Sequence, residues 1–332
     1  MTNTAVPAQR HVVRALRAGG PEVLAIEVDD LRPLKAGEAL VRVDAAGLNH
    51  VDSLVRSGTY AIRFEFPFDL GGEGAGTVVA VGLDVALRPG TRVCWTAVLG
   101  SCATYVTAPV HMLAEVPASL SVEAGAALAH AAVTAAGLIR HCPIAKGHTA
   151  VVWGAAGAVG RLLVALLAAR GVSVVGIASG ERTKAARAAG AAHVVDRSSA
   201  DVIEDVRRHL GGHGAAAVFD PVGAATYETN LRLLGPRGSL VNYGQLSGAL
   251  PAIDLNQLMD AGSIFVTKYG HRAGVVRAED VGPFISEALA LAATRPLVSD
   301  IAVRLPLDRV ADAYRALDAG APGKVLVLPH EA

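Results

Sequence analysis

Residues 149–171, TAVVWGAAGAVGRLLVALLAARG, leave this chain little choice of fold. Thr149–Trp153 is an apolar run of strand type. Gly154-Ala155-Ala156-Gly157-Ala158-Val159-Gly160 is a turn of small residues, and apolar residues at helical spacing continue to Ala169. Strand, glycine turn and helix, in that order, are the context in which an A-x-G-x-x-G pattern binds a dinucleotide. Small side chains let backbone N–H groups approach a pyrophosphate, and the helix N-terminus favours its negative charge. Ala155 stands where the first glycine of such a turn is usual. A tight strand-to-helix turn with no ligand also asks for glycine, so the rest of the chain has to decide.

Composition narrows the class. A length of 332 residues fits about two domains. Basic and acidic residues balance at 30 each, which gives no pull toward nucleic acid or an anionic membrane as an obligate partner. Aromatics, at 4%, are too sparse for a platform that stacks bases. The apolar 52% is largely Ala and Val beside 36 Gly, which suits a tightly packed α/β protein. Cys94, Cys102 and Cys142 are odd in number and lack C-x-x-C spacing, which argues against a disulfide framework or a four-cysteine zinc lobe. The start, MTNTAVPAQRHVVRA, has no apolar run of signal-peptide length. The most apolar helix, Leu162–Ala169, is far shorter than a membrane span. The expectation is a soluble, cytoplasmic protein.

From His11 the signals are short strands and turns: Val12–Leu16, Leu24–Val28, Ala39–Ala45, Gly74–Val81, Arg92–Ala97, Tyr105–Val106 and Met112–Val116, with a short helix at Asn49–Arg56. The character changes at Ser121. Val122–His141 is an Ala-rich helical region predicted to break near Gly137. Strands then alternate with helices: Thr149–Trp153, Val172–Ile177, Val194–Val195, Ala216–Phe219, Ser239–Tyr243 and Ile264–Thr267. That alternation predicts a doubly wound parallel sheet. The helix Val281–Thr294, strand Ile301–Pro306, helix Leu307–Ala319 and strand Lys324–Leu328 exceed what this sheet needs, and are expected to return to the first domain.

An ordered set of short motifs runs through the chain: Gly20-Pro21-Glu22-Val23-Leu24, Gly47-Leu48-Asn49-His50-Val51-Asp52, Arg56-Ser57-Gly58-Thr59-Tyr60, Gly72-Glu73-Gly74-Ala75-Gly76, Pro89-Gly90-Thr91-Arg92-Val93, Thr134, the turn at 155–160, Gly235-Pro236-Arg237-Gly238 and Gly323-Lys324. In that order they resemble the medium-chain dehydrogenase/reductase superfamily, in its zinc-independent quinone oxidoreductase (zeta-crystallin-like) branch. The resemblance implies an α/β fold: a GroES-like β-rich catalytic domain in two segments, 1–130 and 269–332, plus an inserted Rossmann domain, 131–268, with the active site in the cleft. It also implies a homodimer. The apolar last Rossmann strand points the same way, because an open sheet edge is commonly paired or covered.

Zinc-dependent relatives use a Cys, the His of a G-H-E run and a later Cys. Here Asn49 is near the first position, Gly72 replaces the His, and His130 falls near the third. An amide and a missing side chain do not make a three-ligand zinc site, so no metal is expected. The strand Val172–Ile177 ends in Ala178-Ser179-Gly180, without the carboxylate that holds ribose hydroxyls in NAD enzymes. Ser179, Arg182 and Arg197 suit a 2′-phosphate, which Arg binds with paired, charge-assisted hydrogen bonds; each Arg also has the alternative reading of a solvated surface charge, more so Arg197 than Arg182. Glu181 weighs against a phosphate. The cofactor expected is NADPH, held by Ala156, Gly157, Ala158, Val159, Gly160, Ser179, Arg182 and Arg197.

Without zinc, hydroxyl and amide donors must hold the charge that arises on a substrate oxygen. Asn49, Asp52, Tyr60 and Thr134 are the catalytic candidates. By resemblance Asn49 and Thr134 also touch the cofactor, Tyr60 is a phenolic donor, and Asp52 orients its neighbours. Asn49 reads equally well as a helix N-cap, and Tyr60 as a wall aromatic. Gly223, Tyr243, Gly244 and Gln245 follow strand ends, where doubly wound sheets bind ligands. Lys324 either approaches the cofactor or is a plain turn cation. Phe64, Phe66 and Phe68, in Ala61–Leu70, either shape substrate choice or form a small core strand; Tyr269 and His271 are further candidates for substrate choice. The expected activity is NADPH-dependent hydride transfer to a quinone or conjugated enone. The alternatives are a tailoring enoyl reductase acting on one biosynthetic intermediate and a non-catalytic NADPH-binding protein.

Overall fold

The computed structural model describes residues 7–60, 63–270 and 276–331. In chain order the first elements are β1 (Gln9–Ala15), β2 (Leu24–Asp30), β3 (Glu38–Leu48), α1 (His50–Arg56), β4 (Phe68–Asp69), β5 (Glu73–Val81), β6 (Arg92–Thr96), β7 (Tyr105–Pro109), β8 (Leu113–Glu115) and α2 (Val122–Arg140). Next come β9 (Thr149–Trp153), α3 (Ala158–Ala169), β10 (Ser173–Ala178), α4 (Thr183–Ala189), β11 (His193–Asp196), α5 (Val202–Arg207), β12 (Ala215–Asp220), α6 (Tyr227–Leu233), β13 (Leu234–Asn242), α7 (Leu255–Asp260) and β14 (Phe265–Lys268). The chain closes with α8 (Ala278–Ala292), β15 (Ile301–Pro306), α9 (Val310–Asp318) and β16 (Lys324–Leu328).

Two compact units result: Met1–His130 with Ala278–Ala293 and Val298–Ala332, and Ala131–Arg277 with Thr294–Leu297. The first is β-rich. Its seven-stranded sheet runs β15-β16-β3-β5-β6-β8, with β7 also paired to β3, and a small sheet runs β2-β1-β4. β3 is the organising strand. It pairs antiparallel with β5 along one edge and with β7 and β16 along the other. Around it Val41, Val43, Leu48, Trp95, Tyr314, Val325 and Val327 form a continuous core.

The second unit is a six-stranded sheet in the order β11-β10-β9-β12-β13-β14. Every neighbouring pair in it is parallel. Numbered along the sheet's own chain, that order is 3-2-1-4-5-6, the arrangement of a Rossmann fold, which binds dinucleotides where the strand order reverses. The reversal lies at β9, the strand that leads into the glycine turn.

Two expectations need correction. α2 does not break at Gly137 but continues to Arg140. A Cβ at Gly137 would lie 2.3 Å from the Tyr269 hydroxyl, so glycine admits a close neighbour here and does not end the helix. The unbroken α2 therefore has the length and hydropathy to cross a membrane, but 78% of its apolar window is buried inside the fold, as in a core helix. Cys94, Cys102 and Cys142 are buried and free.

Candidate functional site

In the second unit the turn after β9 builds a cavity of about 400 Å³ at the carboxyl ends of the parallel strands. Gly154 takes φ +64, a left-handed conformation that glycine reaches without strain. A Cβ at Gly160 would sit 2.1 Å from the Gly154 carbonyl oxygen, so the first turn of α3 can lie this close only without a side chain. Ala155 is tolerated in the place of the usual glycine because β10 supplies Gly176 opposite it. A Cβ there would be 2.8 Å from that of Ala155.

Of the predicted cofactor residues, Ala156, Gly157, Ala158, Val159, Gly160, Ser179, Arg182, Arg197 and Tyr243 line this cavity. Ser179 directly follows β10, and Arg182 and Arg197 are exposed at the rim. Glu181 is turned to Lys184, 2.5 Å away in an exposed pair, and does not line the cavity. Gly223, Gly244 and Gln245 are not among its lining residues but build the turns behind it. A Cβ at Gly223 would meet the Gly248 carbonyl oxygen at 2.2 Å, and one at Gly244 the Pro221 carbonyl oxygen at 2.3 Å. Thr134 is buried in this unit and does not line the cavity.

The sequence did not reveal what fixes those turns. Asp220, fully buried at the end of β12, accepts from the N–H of Val222 (2.8 Å) and of Gly223 (3.2 Å). It also accepts from the Thr226 hydroxyl (3.0 Å) and the Asn242 amide (3.2 Å). Lys268 donates to Asn242 Oδ1 at 2.6 Å and to the Gly244 carbonyl at 3.0 Å. A buried carboxylate persists only with its donors satisfied, so the wall that carries Pro221, Val222 and Tyr243 is tied to one charged group. Burial raises the Tyr243 phenol well above its ordinary value.

The first unit holds a second constellation. Antiparallel pairing puts the end of β3, the start of β5 and the start of β16 side by side: Gly47 faces Glu73 and Leu48 faces Val325. Asn49, Glu73 and Lys324 therefore meet at one end of the sheet. Glu73 is fully buried. Its Oε2 accepts from Asn49 Nδ2 (2.8 Å) and Lys324 Nζ (2.5 Å), and its Oε1 from the His130 backbone N–H (2.6 Å). Lys324 also donates to Asn49 Oδ1 at 2.9 Å. A Cβ at Gly47 would lie within 3 Å of both Glu73 and Lys324, so that glycine leaves the space the pair occupies.

Asn49 is the N-cap residue of α1, in a capping box with Asp52, and its side chain also faces Glu73 and Lys324. Asp52 makes the return bond, Oδ2 accepting from the Asn49 backbone N–H at 2.8 Å. Burial pushes the Asp52 carboxyl up to about 7. Burial, and then the Lys324 charge, pushes the His130 imidazole down to about 4. Its Nδ1 lies 3.3 Å from the Thr96 hydroxyl. Tyr60 is not brought into this cluster. It is half-buried, with its N–H on the Leu54 carbonyl at 3.0 Å. Lys324, one of the expected cofactor residues, is an interior partner of Glu73 in this unit.

Zinc does not fit this donor set. Asn49 Oδ1 is occupied by an ammonium, the space a Cβ at Gly72 would take is open, and His130 is the one imidazole. Among the described residues no group of three or more His, Cys, Asp or Glu is placed to hold a metal. Phe64, Phe66 and Phe68 alternate half-buried with exposed neighbours and pack their rings 5.1–5.2 Å apart, but only Phe68 lies in a strand, the two-residue β4, so the segment is a loop and not a core strand. Tyr269 is buried edge-on against His141, and His271 lies outside the described residues.

A Rossmann sheet with a glycine-turn cavity, in one chain with a GroES-like β-rich unit, defines the medium-chain dehydrogenase/reductase class. The comparisons agree. Residues 35–144 match the alcohol dehydrogenase GroES-like domain model, and residues 158–279 the zinc-binding dehydrogenase model. A quinone oxidoreductase of Pseudomonas aeruginosa is 33% identical over 94% of this chain and 97% of its own length. The solved structure of a mycobacterial quinone oxidoreductase superposes with a TM-score of 0.81 at 32% identity, covering 96% of this chain and all of that one. Escherichia coli quinone oxidoreductase, solved in complex with NADPH, gives 0.79 at 28% identity, with coverage of 96% and 100%. The chain belongs to the quinone oxidoreductase family of the medium-chain dehydrogenases/reductases.

Proposed function

We propose that this protein is an NADPH-dependent, zinc-independent quinone oxidoreductase. The reading rests on the cavity at the carboxyl ends of β9, β10 and β12, lined by the small-residue turn at one side and by Ser179, Arg182 and Arg197 at another. Its chemistry fits NADPH. Main-chain N–H groups at the start of α3 suit a pyrophosphate. Two guanidinium groups and a hydroxyl suit a 2′-phosphate; β10 itself ends without a carboxylate, and the neighbouring Asp196 is engaged by the Gly180 N–H at 3.0 Å. Bound NADPH supplies a hydride; the protein supplies orientation and charge stabilisation.

On this reading the catalytic domain comprises 1–130 and 269–332, and the NADPH-binding domain 131–268. Asn49 donates a hydrogen bond to the substrate oxygen that gains electron density. Asp52 holds the Asn49 backbone, and Thr134 and Tyr60 are further hydroxyl donors on this reading. The protein is cytoplasmic and a homodimer. The dimer is supported by β14, a sheet edge whose Phe265 is half exposed, and by exposed Leu255 and Met259 on the preceding α7. Light scattering at micromolar concentration should give twice the chain mass, and elemental analysis no stoichiometric zinc.

The deciding experiment is steady-state oxidation of NADPH and of NADH with a panel of quinones and enones. NADPH should be preferred by about tenfold or more, the worth of one charge-assisted phosphate contact. Arg182→Ala should remove most of that preference by raising KM for NADPH alone. Equal efficiency with NADH, unchanged in Arg182→Ala, contradicts the NADPH assignment. Tight NADPH binding with no turnover on any quinone contradicts the activity.

A further inference from the structure

The bonds around Asn49 impose an orientation. An ammonium only donates and an ionised carboxylate only accepts. Lys324 Nζ, at 2.9 Å, therefore fixes one end of the amide as oxygen, and Glu73, at 2.8 Å, fixes the other as nitrogen. The oxygen is taken by a cation, and the nitrogen uses one of its two N–H bonds on Glu73. Asn49 is thereby left a donor toward any further partner, with one Nδ2–H to give. It is also the half-buried member of the set, whereas Glu73 is sealed beneath it. Glu73 is itself held by the Lys324 ammonium and the His130 backbone N–H.

We propose that Glu73 and Lys324 are positioning residues for the acceptor substrate: together they lock the Asn49 amide so that its remaining N–H meets a carbonyl-type oxygen. Without the pair the amide turns freely and presents oxygen as readily as nitrogen, which repels a developing oxyanion. The inference rests on the quinone oxidoreductase reading and adds to it the residues that set the polarity of the site.

The test is a double-mutant cycle on the full-length protein, with 1,4-benzoquinone as acceptor and saturating NADPH. Asn49→Ala should lower kcat by about 100-fold, the cost of removing one oxyanion donor. Glu73→Gln should lower kcat by about 10-fold, and the double variant should be no worse than Asn49→Ala, because residues that act as a unit are non-additive. NADPH Kd, read by fluorescence titration, should stay within about twofold in Glu73→Gln, since the turn that binds it is untouched. Lys324→Arg, which keeps the charge and the donors, gives a second entry to the cycle if Glu73→Gln does not fold. Its smaller loss should likewise vanish in the Asn49→Ala background. A Glu73→Gln or Lys324→Arg loss that multiplies with that of Asn49→Ala overturns the proposal and leaves the enzyme assignment standing. Unchanged kcat in Asn49→Ala overturns it at the donor. Failure of the wild-type protein to reduce any quinone instead overturns the function reading on which it rests.

Discussion

The glycine turn of the second unit and the strand-end cluster of the first are built in opposite ways. The turn is made of backbone. Gly154, Gly157 and Gly160 contribute by having no side chain, and all of its parts lie within one strand–turn–helix. The cluster is made of side chains delivered by three strands, and its central contact joins residues 251 positions apart. The turn is fixed by what cannot fit; the cluster is fixed by charges that cannot be left unpaired. The two should therefore fail differently.

The largest effect is expected in the cluster. Lys324→Met removes the cation from a fully buried carboxylate, and an uncompensated buried charge costs about 3–5 kcal/mol. Urea unfolding should read that loss, and adding Glu73→Gln should recover a large part of it. If Lys324→Met is as stable as the wild type, the comparison breaks, because the cluster would not depend on its charges.

The turn should respond to volume alone. Gly160→Ala places a methyl 2.1 Å from the Gly154 carbonyl oxygen and should destabilise by about 1–3 kcal/mol, with NADPH affinity falling in parallel. Gly157→Ala, where the same oxygen is 3.2 Å away, should cost well under half as much. Equal losses at the two positions would mean that the turn is sensitive to something other than space.

The effect smallest at any one pH step is in pH dependence. Asp52, near 7 when folded against 3.8 as its ordinary value, binds more protons folded than unfolded, so its contribution is full below about pH 4 and is lost as pH rises through 7. His130, near 4 when folded against 6.5, does the opposite: its contribution is present above pH 6.5 and is lost as pH falls through 4. Between pH 4 and 6.5 the two oppose each other. Relative to the wild type, Asp52→Asn should make stability rise with pH across that window, and His130→Gln should make it fall, each by about 1 kcal/mol per pH unit. Parallel curves for all three proteins would remove the cluster's electrostatic account.

How much of this was legible in the sequence follows from the same contrast. The alternation after Ser121 and the A-x-G-x-x-G turn disclosed the parallel sheet and one wall of the cavity, because hydrophobic period and glycine placement act over a few residues. Ala155 needed the fold to explain it, through Gly176 on the neighbouring strand. Glu73 was visible within the Gly72–Gly76 motif, but nothing local marks a glutamate at a strand start as buried. Its meaning depends on Lys324, across the whole second unit. Asp220 escaped notice for the same reason, its satisfaction resting on Asn242 and the turns around it. Gly137 misled in the other direction, since a missing side chain made room for Tyr269 where the local pattern predicted a break.

The late arrival of β16 has a consequence for biosynthesis. A nascent chain that has emerged through Arg277 carries β3 and β5 but lacks the strand that pairs with Ala46–Leu48, and lacks the cation that neutralises Glu73. Until the ribosome delivers Lys324, that corner of the sheet holds an acid with no counter-ion and a bare strand edge. Translation order alone thus keeps the first unit unfinished after Leu297, the last residue of the second unit, has emerged, and a stop between Leu297 and Lys324 yields a product with that edge unpaired.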